Sequence, residues 1–274
     1  MNSDLISVIV PVKDRAHLVA DSVRSILSQT HGALEVIVVE NNSKDPAAVR
    51  EAVECIQDNR VLFFSLTDCA NANVARNFGV AKSTGNYLAF LDSDDTYEKD
   101  HLENALTVIK SSGAHFLYGA FNVWDGETVH QRKARPVTSG EHPLDYFFGA
   151  ERAFASTATF LVHRSVFSSL SWDESLFRHQ DYDFFIACTS KFKSVCNSSS
   201  SVLMEWRRGE KRVYHSRSMR LFYRKWFHNS RPLHKRNYAV SKVKLARQHH
   251  DLLNGIFFFA VYLQYLATKA FLVR

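Results

Sequence analysis

Apolar positions in the first 110 residues follow two alternating rhythms. Residues 5–12 (L-I-S-V-I-V-P-V), 34–40 and 61–66 are short, nearly unbroken apolar runs, too short for helices and patterned as strands buried on both faces. Between them the spacing widens to that of amphipathic helices. Residues 16–29 carry Val19, Val23, Ile26 and Leu27 at helical spacing, with Asp14 placed as a cap. Asp45-Pro46 reads as cap and first position of a second helix, and residues 71–83 as a third, broken by Gly79. Gly85 then turns the chain into residues 86–97, N-Y-L-A-F-L-D-S-D-D-T-Y, a strand that ends abruptly in Asp92, Asp94 and Asp95 before a helix over 98–110. This alternation predicts a parallel sheet with right-handed crossovers, half of a doubly wound nucleotide-binding α/β fold.

Past Gly113 the rhythm changes. Residues 115–124 and those from 128 onward predict a hairpin across Asp125-Gly126, residues 156–163 a further strand, 181–191 a short helix and 197–201 a serine-rich loop. Residues 207–250 are basic, with Phe222, Tyr223, Trp226, Phe227 and Tyr238 interleaved. The tail over 252–273 is apolar but interrupted by Asn254, Gln264, Thr268 and Lys269. A spanning helix usually needs about 20 apolar residues. The tail therefore reads as a helix lying in a membrane interface, with burial against the protein itself or a dimer partner as the alternative.

Composition sharpens this picture in one respect. The chain of 274 residues, 46% hydrophobic, is globular and long enough for a substantial core. Its net charge of +6 conceals a division: residues 205–250 hold 14 Lys+Arg against 2 Asp+Glu, whereas residues 1–204 hold 18 against 25. A basic block of this kind can face nucleic acid, anionic lipid or the phosphates of a substrate. Cys55, Cys69, Cys188 and Cys196 are scattered without a C-x-x-C pair, the usage of buried thiols in a reducing compartment. The amino terminus lacks a basic n-region and a small-residue cleavage site, and reads as a first strand rather than a signal peptide.

Three acids within four residues repel one another. Either they form a solvated turn, with Asp95 or Thr96 capping the next helix, or they hold a divalent cation carrying a phosphorylated ligand. Strand one ends in Pro11-Val12-Lys13-Asp14-Arg15 and strand two in Glu40-Asn41-Asn42-Ser43, so three strand ends bring polar clusters to the sheet rim where open α/β folds bind ligands. Neither G-x-G-x-x-G nor G-x-x-x-x-G-K-[ST] occurs, which argues against dinucleotide oxidoreductases and P-loop enzymes.

The succession V-I-V-P-V-K-D-R, V-I-V-V-E-N-N-S-K-D and A-R-N-F-G-V-A-K-S-T-G-N-Y-L-A-F-L-D-S-D-D resembles the family 2 glycosyltransferases of the GT-A fold, inverting enzymes that use nucleotide sugars. The likeness is close over residues 5 to 110 and extends more weakly to W-D-E-S-L-F at 172–177 and Q-D-Y-D at 180–183. It implies a Rossmann-like nucleotide-sugar half (1–112) with a mostly parallel sheet, a mixed acceptor half (113–204), and a basic, helical C-terminal extension (205–274). Pro11, Val12 and Lys13 would line the nucleoside pocket with Arg15. Glu40 and Asn42 would meet the nucleobase side, and Arg76 the diphosphate or sugar. Asp92, Ser93 and Asp94 form the D-x-D element, with Asp92 toward ribose or cation and Asp94 on the metal, Mn²⁺ or Mg²⁺. Asp181 would be the catalytic base, with Asp183 as the alternative. Arg208 would clamp the diphosphate, or else belong to a solvated basic face, and His215 would complete the metal site or lie on the surface. The chain departs from the pattern in having Glu40-Asn41-Asn42 for the commoner Asp-Asp-Gly and Gln180 for the usual Glu before the base.

The resemblance thus implies transfer of one sugar from a nucleotide sugar, with UDP the expected nucleotide, to a glycan or lipid-linked saccharide in cell-surface polysaccharide biosynthesis. The Q-x-x-R-W signature of processive synthases is absent. The expected setting is cytoplasmic, peripheral at the inner face of the plasma membrane, without nucleic acid as partner and with a homodimer through the C-terminal region as the alternative use of the tail. Two rivals remain at this point. A sugar-nucleotide nucleotidyltransferase would need a glycine-rich, lysine-containing loop that residues 11–15 do not supply, and a nucleic-acid-binding protein would use the basic aromatic block.

Overall fold

The computed structural model describes residues 4–68, 71–206 and 214–272. In chain order the elements are β1 (Ile6–Val12), α1 (Ala16–Leu27), β2 (Leu34–Asn41), α2 (Pro46–Glu54), β3 (Val61–Leu66), α3 (Ala72–Lys82), β4 (Tyr87–Phe90), β5 (Asp95–Tyr97), α4 (His101–Ser112), β6 (Phe116–Gly119), β7 (Phe121–Trp124), β8 (Val129–Arg132), α5 (Asp145–Phe148), β9 (Leu161–His163), α6 (Gln180–Lys191), β10 (Ser194–Asn197), β11 (Val202–Glu205), α7 (Ser216–Trp226), α8 (Pro232–Gln248) and α9 (Leu252–Leu272). They form two compact units. The first comprises residues 4–137, 154–174 and 180–206; the second comprises 138–153, 175–179 and the helices from residue 214 onward. The second unit therefore takes two stretches from the 113–204 region as well as the basic extension.

The first unit is built on a seven-stranded sheet of order β10-β6-β9-β4-β1-β2-β3, parallel except that β9 runs antiparallel to both β4 and β6. Every residue of β1 is buried, which is why its sequence shows an unbroken apolar run and not an alternation. Its even-numbered residues Val8 and Val10 join Val36, Val38 and Ala89 in a core covered by α1, α2 and α4. The opposite face carries Phe90, which meets Trp172 and Phe184 edge-on, and these two rings stack on each other at 4.0 Å between centroids. Buried Ser7 interrupts the apolar run of β1 at no cost, because its hydroxyl donates to Glu35 (2.6 Å) and accepts from Gly85 N–H (2.9 Å).

Several expectations meet a different local structure. Helix α3 continues through Gly79 without a break, because this glycine is where the helix lies on β1: a Cβ there would come within 2.5 Å of Ile9 Cγ2. Neither Asp14 nor Asp95 caps a helix. Asp14 takes φ 56° and ties two rims together, its N–H donating to Ser43 Oγ (3.0 Å) and its carboxylate accepting from Lys44 N–H (2.7 Å). The predicted strand over 115–124 divides at Ala120 into β6 of the large sheet and β7 of a second, four-stranded sheet of order β5-β11-β7-β8. The hairpin across Asp125-Gly126 forms between β7 and β8 with Gly126 at φ 100°. Of the strand expected over 156–163, only Leu161–His163 pairs as a strand, after a 3₁₀ turn at Thr157–Thr159. The serine-rich loop shrinks to the link between β10 and β11, whose four-residue sequences SVCN and VLME are too short to carry much strand signal.

The second unit packs α5, α7, α8 and α9 around Phe148, Phe222, Phe227, Tyr238 and Phe258. Among the described residues no helix is long and apolar enough to cross a membrane.

The Gly79 contact yields a stability test. Gly79→Val forces its side chain into Ile9, and overpacking of this kind costs about 1–3 kcal/mol. Urea unfolding should show a lower midpoint at unchanged slope; an unchanged midpoint would contradict the close α3–β1 approach.

Candidate active site

The acids stand at the corner where the chain leaves one sheet for the other. Leu91 N–H still bonds to Ile9 O as a continuation of β4 (3.1 Å), the chain turns with Asp95 N–H on Asp92 O (3.0 Å), and β5 then pairs with β11 of the second sheet. Asp92 and Asp94 are left at the rim and Asp95 is carried inside, 3% exposed. Burial, and then the charges of Asp92 and Asp94, push the Asp95 carboxyl well above the usual carboxylate range, against the Glu205 N–H and Arg15.

Each rim acid meets an arginine from another element. Arg15, just before α1, donates to Asp94 Oδ1 at 2.7 Å. Arg76 of α3, its side chain only 4% exposed, donates through Nη2 to Asp92 Oδ1 at 2.8 Å. Through Nη1 it reaches Asn73 Oδ1 (2.9 Å) and Gln180 Oε1 (3.0 Å), and its guanidinium lies 4.9 Å from the Trp172 ring centroid. Both contacts are charge-assisted and link separate strand and helix ends.

Asp181 follows Gln180 at the start of α6, half-buried, with Tyr182 N–H on its Oδ1 at 2.9 Å. Burial, with a smaller contribution from Asp92, pushes its pKa up to about 6 against the Tyr182 N–H and Arg76. Asp183 lies 4% exposed within the helix packing, so Asp181 is the better placed of the two to meet a substrate.

The remaining predicted residues fall in different places. Pro11 and Val12 are buried at the end of β1, and Lys13 is exposed beyond it. Glu40 is 1% exposed, and both its oxygens are engaged by the chain, with Ser43 N–H and Ser65 Oγ each at 2.5 Å. Its observed work is to hold the β2 turn to β3. Asn42 sits in the left-handed region at φ 56°, exposed, and Ser93 is buried. His215 belongs to the second unit, where Nδ1 accepts from Ser218 N–H (3.1 Å) as the cap of α7 and the ring stacks on Phe177 at 4.7 Å. With Nδ1 accepting, the ring proton of the neutral imidazole sits on Nε2, so His215 as placed offers no lone pair to a metal. Arg208 lies outside the described residues. Among the described residues no group of three or more His, Cys, Asp or Glu side chains is arranged to hold a metal ion. The oxygen-only chemistry of Asp92 and Asp94 nonetheless suits a hard divalent cation.

One feature escaped sequence reading. Asn71, Asn73 and Asn77 read successive backbone groups of the 172–174 segment. Asn71 Nδ2 donates to Glu174 O (2.5 Å) and Asn73 Nδ2 to Asp173 O (2.7 Å). Asn77 both donates to Trp172 O (2.9 Å) and accepts from Trp172 N–H (3.0 Å). The available signal was Asn73, Arg76 and Asn77 at helical spacing on one face.

A family model described as glycosyl transferase family 2 matches residues 7–177, and the chain belongs to that family. The chain is similar to the amylovoran biosynthesis glycosyltransferase AmsB of Erwinia amylovora, 29% identical over 189 residues, 66% of this chain and 62% of that protein. It is also similar to the UDP-Glc:alpha-D-GlcNAc-diphosphoundecaprenol beta-1,3-glucosyltransferase WfgD of Escherichia coli, 28% identical over 129 residues, 47% of this chain and 50% of that one. These matches span less than two thirds of either relative. Among solved structures, S. aureus TarS 1–349 in complex with UDP-GlcNAc superposes with a TM-score of 0.66 at 20% identity, covering 95% of this chain and 71% of that one. At that identity the likeness establishes the GT-A fold.

The asparagine contacts generate the test for this site. Asn77→Ala leaves two backbone groups of Trp172 without partners, a loss of about 1–3 kcal/mol per buried group. Chemical denaturation should register it, and Asn77→Asp, which keeps the acceptor but sets a carboxylate where Asn77 Nδ2 now donates to Glu174 Oε1 (2.8 Å), should also fall below wild type. Equal stability of all three would contradict the contact.

Proposed function

We propose that this chain is an inverting glycosyltransferase that moves a single sugar from a UDP-sugar to a lipid-linked saccharide during the synthesis of a cell-surface polysaccharide. One observation carries the reading: Arg76 spans from Asp92, at the end of β4, to Gln180, the residue before Asp181. A donor-binding acid turn and the residue before a candidate base thereby share one buried cation. The names of the relatives point the same way, one to polysaccharide biosynthesis, one to UDP-Glc and a diphosphoundecaprenol acceptor.

In this reading the rim formed by Pro11, Val12, Lys13, Glu40 and Asn42 receives the nucleoside, while Arg15 and Arg76 face the diphosphate. Asp94 and Asp92 would hold Mn²⁺ or Mg²⁺, which when bound neutralises charge growing on the leaving diphosphate. Asp181 takes the proton of the acceptor hydroxyl. The oxygen attacks the anomeric carbon from the face opposite the nucleoside diphosphate, the bond to the diphosphate breaks, and the anomeric configuration inverts in one step.

A screen of nucleotide sugars with a lipid-linked acceptor tests this. Asp181→Asn should lower kcat by about 10²–10⁴-fold, the contribution typical of a general base. The active form is the carboxylate, so kcat/KM should rise with pH through a midpoint of about 6 and level off at higher pH. Full activity in Asp181→Asn would remove Asp181 from its role, and failure of every nucleotide sugar to bind would remove the enzyme reading.

We further propose that the second unit rests on the cytoplasmic face of an anionic membrane. Helix α9 turns Asn254, Phe258 and Val261 inward, yet leaves Leu252, Ile256, Phe259, Leu263 and Leu266 exposed in a stripe of alternating four- and three-residue steps. Exposed Lys244 and Arg247 of α8 supply the charge that complements acidic lipid. Ile256→Asp with Phe259→Asp should abolish sedimentation with phosphatidylglycerol vesicles at low salt. Concentration-dependent dimerisation lost in the same variant, without any vesicle binding by the wild type, would assign the stripe to a second copy instead.

A further inference from the structure

Gln180 is the first residue of α6, and its amide works in both directions. Oε1 accepts from Arg76 Nη1 at 3.0 Å, and Nε2 donates to Asn71 Oδ1 at 2.9 Å. Asn71 Oδ1 also accepts from Asn73 N–H at 2.9 Å, as the cap of α3. The same guanidinium holds Asp92 at 2.8 Å. A continuous chain of hydrogen bonds therefore runs from the acid turn, through Arg76 and Gln180, to the amino end of α3.

A carboxylate at position 180 would break this chain in two ways. It has no donor for Asn71, and it would draw Arg76 by a charge-assisted bond roughly twice as strong as that to a neutral carbonyl. Asp92 would then compete with a second anion for one guanidinium, and Asp181 would gain a charged neighbour. The neutral amide holds α6 against α3 and leaves the charge of Arg76 to the donor side.

We propose that Gln180 is a positioning residue that sets both the placement of Asp181 against α3 and the share of Arg76's charge available to the donor's diphosphate. This rests on the glycosyltransferase reading above. The chemistry explains why glutamine can stand where the resemblance places a glutamate: a site in which the residue before the base and the donor-side acid share a single buried arginine works with one negative charge fewer.

The test uses the full chain with Gln180→Glu and Gln180→Met, the latter close in volume and without an amide, and compares kcat, donor KM and UDP affinity. Gln180→Glu should raise donor KM and weaken UDP binding, each by about tenfold, the effect of one redirected charge-assisted bond. Gln180→Met, which leaves Arg76 on Asp92 and Asn73, should lower kcat by about tenfold with donor KM within about threefold of wild type. That split between the two parameters is what a merely structural role would not produce. Variants that match wild type in all three quantities, or that differ only in melting temperature, would overturn the proposal while leaving the function intact. Absence of any nucleotide-sugar binding by the wild type would overturn the underlying reading and this inference with it.

Discussion

A guanidinium almost wholly removed from water must have its charge answered by the protein, and Arg76, whose two terminal nitrogens are partnered while its Nε is not, shows how much structure that requirement recruits. Its partners come from β4's end, from its own helix and from the start of α6, with an indole as the floor. Removing any of these partners leaves a buried cation undercompensated, which is costlier than losing the bond alone. The helix bearing Arg76 must also lie close to β1, and Gly79 permits that approach. The asparagines on the same helix then hold the 172–174 segment that leads toward α6. Sheet rim, the Asp92 carboxylate and the start of α6 are therefore fastened to one helix.

The second constraint is charge at the sheet corner. Three carboxyls in four residues persist there because they are not equivalent. Two lie at the rim and are paired with Arg15 and Arg76; the third is buried, and its environment favours the neutral form. The turn can thus be acidic enough to attract a cation without the repulsion of three full charges. A nucleoside diphosphate arriving at this rim would meet arginines already oriented by the acids.

Much of this was legible in residue pattern, and the exceptions have physical causes. The buried parallel strands β1 and β2 announce themselves as unbroken apolar runs, and their ends locate the rim. Asp45-Pro46 reads correctly as a cap, with Ala48 N–H on Asp45 Oδ1 at 2.9 Å. Strands β10 and β11 did not stand out because each is only four residues long, and the division at Ala120 depends on which sheet offers each partner. Gly79 was misread as a helix break, since a glycine demanded by a neighbouring strand looks the same in sequence as one that ends a helix. The acid turn was visible from residues alone. Its bond to Gln180 through Arg76 was not, because more than a hundred positions separate that arginine from the glutamine it holds.

In the proposed function the rim of Asp92 and Asp94 receives a nucleoside diphosphate together with a divalent cation. Calorimetric titration of UDP into the wild-type chain and Asp94→Asn, with and without Mn²⁺, tests it most directly. Mn²⁺ should tighten UDP binding to the wild type by about tenfold or more, equivalent to at least one charge-assisted contact, and Asp94→Asn should lose this increment. UDP affinity that is the same with and without Mn²⁺ in both proteins would contradict it.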